Sequence, residues 1–236
     1  MEQVIGRLRS IQVGMPRAGR TDEEEPRPWT TGIYKASVAG PIPLGRINLR
    51  GDGQADLVHH GGPDKAVCAY SADHWPYWRR VLSTETLTGG GFGENFTLEG
   101  LTEADLCIGD MVAVGSTLIQ VSQPRQPCWK LARRWQILDL ALQVEQTGFT
   151  GWYFRVLEEG RVEAGQILRL VERPCPEWTI AAANRVMHHD RDNLAEAERL
   201  GRCPYLSTSW QQTLQRRCRD RVAPDPQARR FQDGQP

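Results

Sequence analysis

A single cysteine stands among residue types that favour a reactive sulfur. Cys128 follows Pro124 and Pro127, and Arg125 and Lys130 lie within three residues of it. The two prolines end the strand predicted before them, which places Cys128 and both cations in an exposed loop. Nearby cations favour a thiolate over a thiol, and a thiolate is both a nucleophile and a soft metal ligand. Because a free cysteine is more often a small buried hydrophobic residue, other segments have to decide between these interpretations.

Two glycine-rich segments carry further groups that suit a ligand. Residues 51–65 contain a pair of histidines, the second of them His60, and end at Lys65, whereas residues 89–97 contain Asn95. Paired glycines allow close approach of the backbone to a ligand, and the amides of residues 89–97 are candidates for an anion-binding nest. The alternatives are turns with solvated polar side chains and, for the histidine pair, a zinc site. Zinc is disfavoured because adjacent side chains tend to point apart.

The composition excludes several classes of protein. The 236 residues are 39% hydrophobic and 25% charged, which suffices for one substantial core with a small appendage. Lys and Arg total 29 against 29 acidic residues, so no overall field attracts nucleic acid, and any anion has to be held locally. The six cysteines form no Cys-x-x-Cys pair and match no iron–sulfur spacing. Since no stretch approaches about 18 consecutive apolar residues, we expect a cytoplasmic protein with reduced thiols and no membrane association.

Short apolar stretches separated by turns predict a β-rich body. Helices interrupt it after residue 71, where Trp75 and Trp78 share a face that we expect to pack in the core, and over residues 137–146. The strands are expected over residues 3–14, 31–38 (with Lys35), 66–70, 106–108, 111–114, 116–121, 152–157 and 166–171.

From residue 179 the apolar spacing becomes helical. It predicts three short helices, the first of which ends at His188 and His189, expected there as capping residues. The predicted fold class is therefore mainly β with α, a barrel-like domain followed by a small three-helix element. The domain boundaries are predicted at 1–175 for the barrel, 176–222 for the helices and 223–236 for a flexible tail.

A small barrel can bring the three polar segments, residues 51–65, 89–97 and 123–130, to one mouth. A pocket with cations, backbone amides and a soft sulfur suits an anionic, phosphate-bearing cofactor whose metal accepts a thiolate. Hydrolysis by a Cys–His pair is the rival enzymatic interpretation. It requires a histidine bonded to the sulfur and an oxyanion hole, neither of which residue spacing establishes.

Four motifs occur in order along the chain. They are Gly51-Asp52-x-Gln54-Ala55-Asp56, His60-Gly61-Gly62-Pro63-Asp64-Lys65-Ala66-Val67, Phe92-Gly93-Glu94-Asn95 and Val121-Ser122-Gln123-Pro124-Arg125-Gln126-Pro127-Cys128. Together they resemble the MOSC domain, named for the carboxyl-terminal domain of molybdenum cofactor sulfurase. Within that family they resemble the YiiM-like subgroup, and the resemblance extends from roughly residues 1–175 to the three-helix element that this subgroup carries.

The resemblance implies a fold and a site. It implies a MOSC-type β-barrel that binds the molybdenum cofactor, with Cys128 as the metal ligand and catalytic residue. Lys35 and Arg125 would contact the phosphate of the cofactor. The residues that the resemblance places around the cofactor are Lys35, His60, Lys65, Asn95, Arg125 and Lys130.

The resemblance also implies an activity and partners. The expected reaction is reduction of N-hydroxylated compounds, such as hydroxylaminopurine base analogues, in detoxification. Because no cluster motif is present, we expect electrons from a separate flavoprotein, with a monomer and a homodimer both left open. The alternatives are a carrier of the cofactor or its sulfur that catalyses nothing, and a cysteine-dependent hydrolase or transferase.

Overall fold

The computed structural model describes residues 3–21 and 28–231 of the chain. In these ranges the chain alternates strands and short helices up to residue 172 and is helical beyond it. The strands are β1 (Gln3–Val13), β2 (Arg17–Ala18), β3 (Thr30–Thr31), β4 (Ala36–Ser37), β5 (Ile42–Leu44), β6 (Val67–Ser71), β7 (Phe96–Glu99), β8 (Met111–Val114), β9 (Thr117–Pro124), β10 (Trp152–Glu158), β11 (Gly160–Val162) and β12 (Ile167–Glu172). The α-helices are α1 (Leu57–His60), α2 (Trp75–Val81), α3 (Trp129–Trp135), α4 (Leu140–Thr147), α5 (Ile180–Asn184), α6 (Leu194–Gly201), α7 (Thr208–Asp220) and α8 (Gln227–Arg230).

Seven of these strands close into a barrel. They follow the order β12-β8-β9-β10-β6-β7-β1, and β1 pairs back with β12, so the ring has no free edge. Of these pairs, only β6 and β7 run parallel. Side chains that alternate along the strands fill the interior, among them Leu8, Phe96 and Ile119, each fully buried. The predicted mainly β fold class is confirmed.

The three-helix element packs against the barrel and shares its hydrophobic cluster. Each helix begins with a side chain that accepts a backbone N–H: Thr179 for α5, Asn193 for α6 and Ser207 for α7. The buried faces of the helices, with Trp210 and Leu214, belong to the same hydrophobic cluster as the barrel interior. Burial of this shared apolar surface is what fixes the helices on the barrel.

The carboxyl-terminal segment contains one more helix. Helix α8 lies within the stretch predicted as a flexible tail, and residues 232–236 of that stretch lie outside the described residues. The three predicted domain boundaries remain predictions. No described helix is long and apolar enough to cross a membrane.

Three local expectations are wrong. Residues 31–38 do not form one strand, since only Thr30–Thr31 and Ala36–Ser37 find partners and Lys35 lies between them. The strand predicted at 106–108 is reduced to a single antiparallel bridge between Cys107 and Thr179, after which the chain turns and the Asp110 carboxylate accepts the N–H of Cys107 at 2.9 Å. Strand β9 continues to Pro124, which pairs with Trp152 at the start of β10.

Candidate cofactor site at the barrel mouth

A cavity of about 630 Å³ opens where the three polar segments of the chain meet. It is here called the mouth cavity. Residues of segments 51–65, 89–97 and 123–130 all contribute to its wall, as the sequence predicted. The predicted site residues that line it are Lys35, His60, Lys65, Asn95, Arg125, Cys128 and Lys130. The structure therefore brings together the whole predicted set, while the role of each residue remains a prediction.

Cys128 is held between a strand and a helix. The N–H of Arg125 donates to the carbonyl of Gly151 at 3.0 Å, which extends the pairing of β9 with β10 past Pro124. The N–H of Leu131 then donates to the carbonyl of Cys128 at 3.0 Å as α3 begins, and Leu131 is fully buried. Helix α3 was not predicted. Its start leaves the Cys128 thiol half-buried at the cavity wall.

His60 is the imidazole nearest this sulfur. Its Nε2 lies 3.9 Å from Sγ of Cys128. The loop that carries it is shaped by Asp56, whose carboxylate caps α1 by accepting the N–H groups of Val58 and His59, both at 3.0 Å. Burial, and next the charge of Lys130, lower the pKa of His60 to about 4. The ring is therefore neutral near pH 7 and adds no charge beside the sulfur.

Arg125 is buried, which corrects the expectation of an exposed loop cation. Its side chain is enclosed because β9 runs further than predicted and carries Arg125 into the wall of the mouth cavity. Within the described residues, its Nη1 is buried and has no hydrogen-bond partner. Burial opposes the charge, but the neighbouring Cys68, Tyr153 and Cys128 outweigh it and raise the pKa of Arg125. A buried, fixed positive charge with an unused donor fits an anionic group such as a phosphate.

Two lysines of the site already have partners. Lys35 forms an ion pair with Asp52, and both side chains are almost wholly buried. The Asp52 carboxylate also accepts the N–H of Gly14 at 2.9 Å, which fixes its position. Lys65 donates to the carbonyl of His59 at 2.6 Å, and burial lowers the pKa of Lys65. The charge of Lys35 is thus balanced in place, whereas that of Arg125 is not.

Asn95 lines the cavity, but its side-chain amide is hydrogen-bonded to the backbone. Its Oδ1 accepts the N–H of Cys68 at 3.1 Å, and its Nδ2 donates to the carbonyl of Gln12 at 3.2 Å. The side chain thereby joins β6 to β1 across the loop before β7. These two hydrogen bonds fix the position of the side chain in the cavity wall.

The glycine-rich segment 89–97 does not offer an anion-binding nest, which corrects the expectation from sequence. Its backbone amides are taken by the fully buried carboxylate of Glu94, which accepts the N–H groups of Gly90 at 2.7 Å and Phe92 at 2.9 Å. The hydroxyl of Thr97 donates to the same carboxylate at 3.0 Å. The carboxylate of Glu94 therefore binds the amides that the glycine pattern suggested for the anion of a ligand.

Among the wall residues that sequence reasoning missed are Cys68 and Tyr153. Cys68 was interpreted as a core residue, and it is buried, but it also lines the mouth cavity. Tyr153 lines it as well, with its pKa raised by burial. A signal for Tyr153 was present, because Trp152 and Phe154 point into the barrel core and the residue between them must face the other side of β10.

Asp64 anchors the loop that carries His60 and Lys65. Its carboxylate pairs with Arg155 of β10 at 2.9 Å and accepts the N–H of Thr208, at the start of α7, at 3.1 Å. The mouth cavity is thus tied to the helical element. Among the described residues, no group of three or more His, Cys, Asp or Glu side chains is placed to hold a metal ion.

Comparison with known proteins places the chain in a family. The family model of the MOSC domain matches residues 56–169, and that of the YiiM-like, 3-alpha helix domain matches residues 178–219. The uncharacterised protein YflK of Bacillus subtilis (strain 168) is 45% identical over 224 residues, which are 95% of this chain and 99% of YflK. The chain belongs to the MOSC family, in its YiiM-like subgroup. MOSC domains are associated in general with binding of the molybdenum cofactor.

Two further relatives of this MOSC protein bear on its fold and activity. The crystal structure of YiiM from Geobacillus stearothermophilus superposes with a TM-score of 0.76 at 44% identity, covering 90% of this chain and 99% of that one. A protein of Gibberella moniliformis (strain M3125 / FGSC 7600) named "Reductase" is 35% identical over 161 residues, 67% of this chain and 28% of that protein. A family member is thus part of a larger protein with a reductase name.

Proposed function

We propose that this protein is a molybdenum cofactor-dependent reductase of N-hydroxylated compounds, such as hydroxylaminopurine base analogues, acting in detoxification. The observation that carries the proposal is the pairing of an accessible sulfur with a buried cation in one cavity. Cys128 presents the soft donor that molybdenum accepts, and Arg125 presents an unpartnered donor for the phosphate of the pterin. Membership of the MOSC family and the reductase name of a relative support it.

The residues of the mouth cavity fit such a cofactor. Arg125 and Lys35 would hold the phosphate, Cys128 would hold the metal, and His60, Lys65, Asn95 and Lys130 would line the remainder of the pterin. Lys35 can contribute a fixed N–H donor because Asp52 positions its ammonium group. When bound, the cofactor supplies the two electrons by which R–NHOH and two protons become R–NH₂ and water.

Hydrolysis by Cys128 and His60 is the second candidate, since the two side chains are 3.9 Å apart. Three observations weigh against it. A histidine whose pKa is about 4 is a weak base near pH 7. Asp56, which could orient it, hydrogen-bonds to His59 Nδ1 at 2.9 Å instead. The backbone amides of Gly90 and Phe92, which an oxyanion hole would need, are paired with Glu94.

The test is to purify the protein from cells that make molybdenum cofactor and from cells that do not, and to measure metal content and reduction of an N-hydroxylated base with an artificial electron donor. Stoichiometric molybdenum with turnover is the expected result. Molybdenum without turnover would favour a carrier of the cofactor, and ester or amide hydrolysis by the cofactor-free protein would favour the cysteine hydrolase. A separate flavoprotein as physiological donor and a cytoplasmic location are parts of the same proposal.

A further inference from the structure

A second cavity, of about 610 Å³, lies between the helical element and the segment that contains α8. It is here called the arginine cavity. It meets the mouth cavity at Gln126, which lines both. Its wall is drawn from elements far apart in the sequence: the Cys128 loop, the end of the π-helix at residues 185–189, α7, and residues 223–230. The charged and ionisable residues of the wall are His188, Arg191, Arg216, Arg217, Asp225, Arg229 and Arg230.

The charge of this wall is strongly positive in a chain that is neutral overall. Counted over residues 3–21 and 28–231, which the structure describes, it contains five arginines and one carboxylate. Glu145, behind the wall, pairs with Arg229 and with Arg230, each at 2.5 Å. Arg191 and Arg217 donate hydrogen bonds to backbone carbonyls, which are neutral. Arg191, for example, donates to the carbonyl of Pro224 at 2.8 Å. Carbonyl acceptors satisfy N–H groups but leave the positive charge in place, so the cavity keeps an excess of cations.

Two buried nitrogens of the wall have unused hydrogen-bonding capacity. In the described part of the chain, Nε of Arg217 and Nε2 of His188 are enclosed and lack a partner. Arg217 is 1% exposed, and the side chain of His188 is 5% exposed. Buried polar atoms without partners are uncommon in native proteins and often mark a ligand or water that belongs there. His188 is therefore a wall residue of this cavity, whereas the sequence predicted a capping residue at the helix end.

We propose that the arginine cavity binds the phosphate group of a small molecule. Guanidinium groups from separate elements match the several oxygens of a phosphate better than the two oxygens of one carboxylate. Met187, Ala223 and the prolines of the wall offer apolar contact for the rest of a phosphomonoester. The site is distinct from Cys128 and does not rest on the proposed reductase function.

The test is isothermal titration of the full chain, purified without cofactor in a buffer free of phosphate and sulfate. The probes are inorganic phosphate, adenosine monophosphate and adenosine. Binding of adenosine monophosphate and of phosphate, but not adenosine, is expected, and the relative affinity of the two anions shows whether the site takes the free ion or a phosphomonoester. The variant Arg191→Gln with Arg216→Gln removes two guanidinium groups and should weaken binding at least about tenfold, as loss of charge-assisted hydrogen bonds does.

Matched controls separate this site from other cationic surfaces. Arg202→Gln with Arg219→Gln removes two exposed arginines of the same helical element and should leave binding unchanged. Arg125→Gln removes the cation of the mouth cavity and should also leave this binding event in place. The proposal is overturned by absence of anion binding in the natural protein, or by binding that Arg125→Gln abolishes and the Arg191/Arg216 variant does not.

Discussion

The mouth cavity and the arginine cavity lie on either side of Gln126 and differ in how their charge is arranged. In the mouth cavity, Lys35 is neutralised by Asp52, so Arg125 stands as a buried cation next to a thiol. In the arginine cavity no cysteine is part of the wall, and several guanidinium groups share one carboxylate. The first arrangement suits the proposed cofactor, which needs both an anion site and a soft metal ligand, whereas the second suits the proposed phosphate site alone. Charge by itself therefore does not distinguish the two proposals; the sulfur of Cys128 does.

Each cavity also contains a histidine that burial keeps neutral. The pKa values of His60 and His188 are both lowered to about 4, with burial as the leading cause. Their surroundings differ, because cations surround His60 while His188 faces Glu145, with Nδ1 and Oε2 3.6 Å apart. Glu145 is the central anion that holds α4, α8 and the π-helix together. Ion pairs therefore help to hold both cavities: Lys35–Asp52 and Arg155–Asp64 at the mouth cavity, and those of Glu145 at the arginine cavity.

Replacement of Cys128 is expected to have the largest effect and to show that only the mouth cavity is reactive. Cys128→Ser exchanges a soft thiolate for a hydroxyl that is barely ionised, so molybdenum should be lost and reductase activity should fall to background. The pterin should still bind through its phosphate. Metal analysis and pterin fluorescence separate these outcomes. Cys107→Ser, at a buried cysteine outside both cavities, should keep metal and activity. Full activity of Cys128→Ser would refute the ligand assignment.

Loss of Glu145 should test whether the arginine cavity depends on ion pairs. Glu145→Gln removes the buried carboxylate that pairs with Arg229 and Arg230, whose side chains are 26% and 16% exposed, so the free energy of unfolding should fall by about 2 to 3 kcal/mol. Burial on its own would raise the pKa of Glu145, but His188 and the two arginines lower it. Its stabilising effect is therefore present above the ordinary carboxyl pKa and is lost as pH falls through the lowered value. Urea denaturation of both proteins at pH 7 and pH 3 measures the difference, which should shrink at the lower pH.

Substitution of Arg125 should sharpen the contrast in anion binding. Because Arg125 is buried, we choose the neutral Arg125→Gln in place of a charge reversal, which would enclose a carboxylate. The binding free energy of the pterin should weaken by about 2 kcal/mol, which lowers its affinity roughly thirtyfold. The exposed Arg80→Gln serves as the control and should retain pterin normally. Normal retention in Arg125→Gln would remove the phosphate assignment.

The smallest expected effect concerns the pH dependence that His188 imposes. Its neighbours are Glu145 on α4, Arg229 and Arg230 on α8, and His189 beside it. As pH falls, a histidine with a lowered pKa is protonated in the unfolded chain at a higher pH than in the folded one. The contribution of His188 to the free energy of unfolding is therefore fully present above about pH 6.5 and is lost as pH falls toward 4. Between pH 7 and pH 5, the free energy of unfolding of His188→Gln should fall by about 1 to 2 kcal/mol less than that of the natural protein. Equal losses in the two proteins would mean that His188 is protonated when folded.

Much of the fold could be predicted because it follows from local patterns. Alternation of apolar residues indicated β1, β8 and β12, and helical spacing after residue 179 indicated the three-helix element. Helix α3 was missed since the prolines before Cys128 mark a loop and the helix begins one residue beyond it. Lys35 was assigned to a strand because pattern alone does not reveal whether a partner strand is available.

The sequence by itself determined which residues of the site are chemically suited to it: the cysteine between cations, the histidine loop and the residues that line the mouth cavity with them. Only the tertiary structure decided how each is used. Burial of Arg125, the partners of Lys35, the capture of the glycine-loop amides by Glu94 and the entry of Tyr153 all depend on long-range contacts. The arginine cavity depends on them entirely, because its charges come from residues 188 to 230 and act together only once helices and carboxyl-terminal segment have packed.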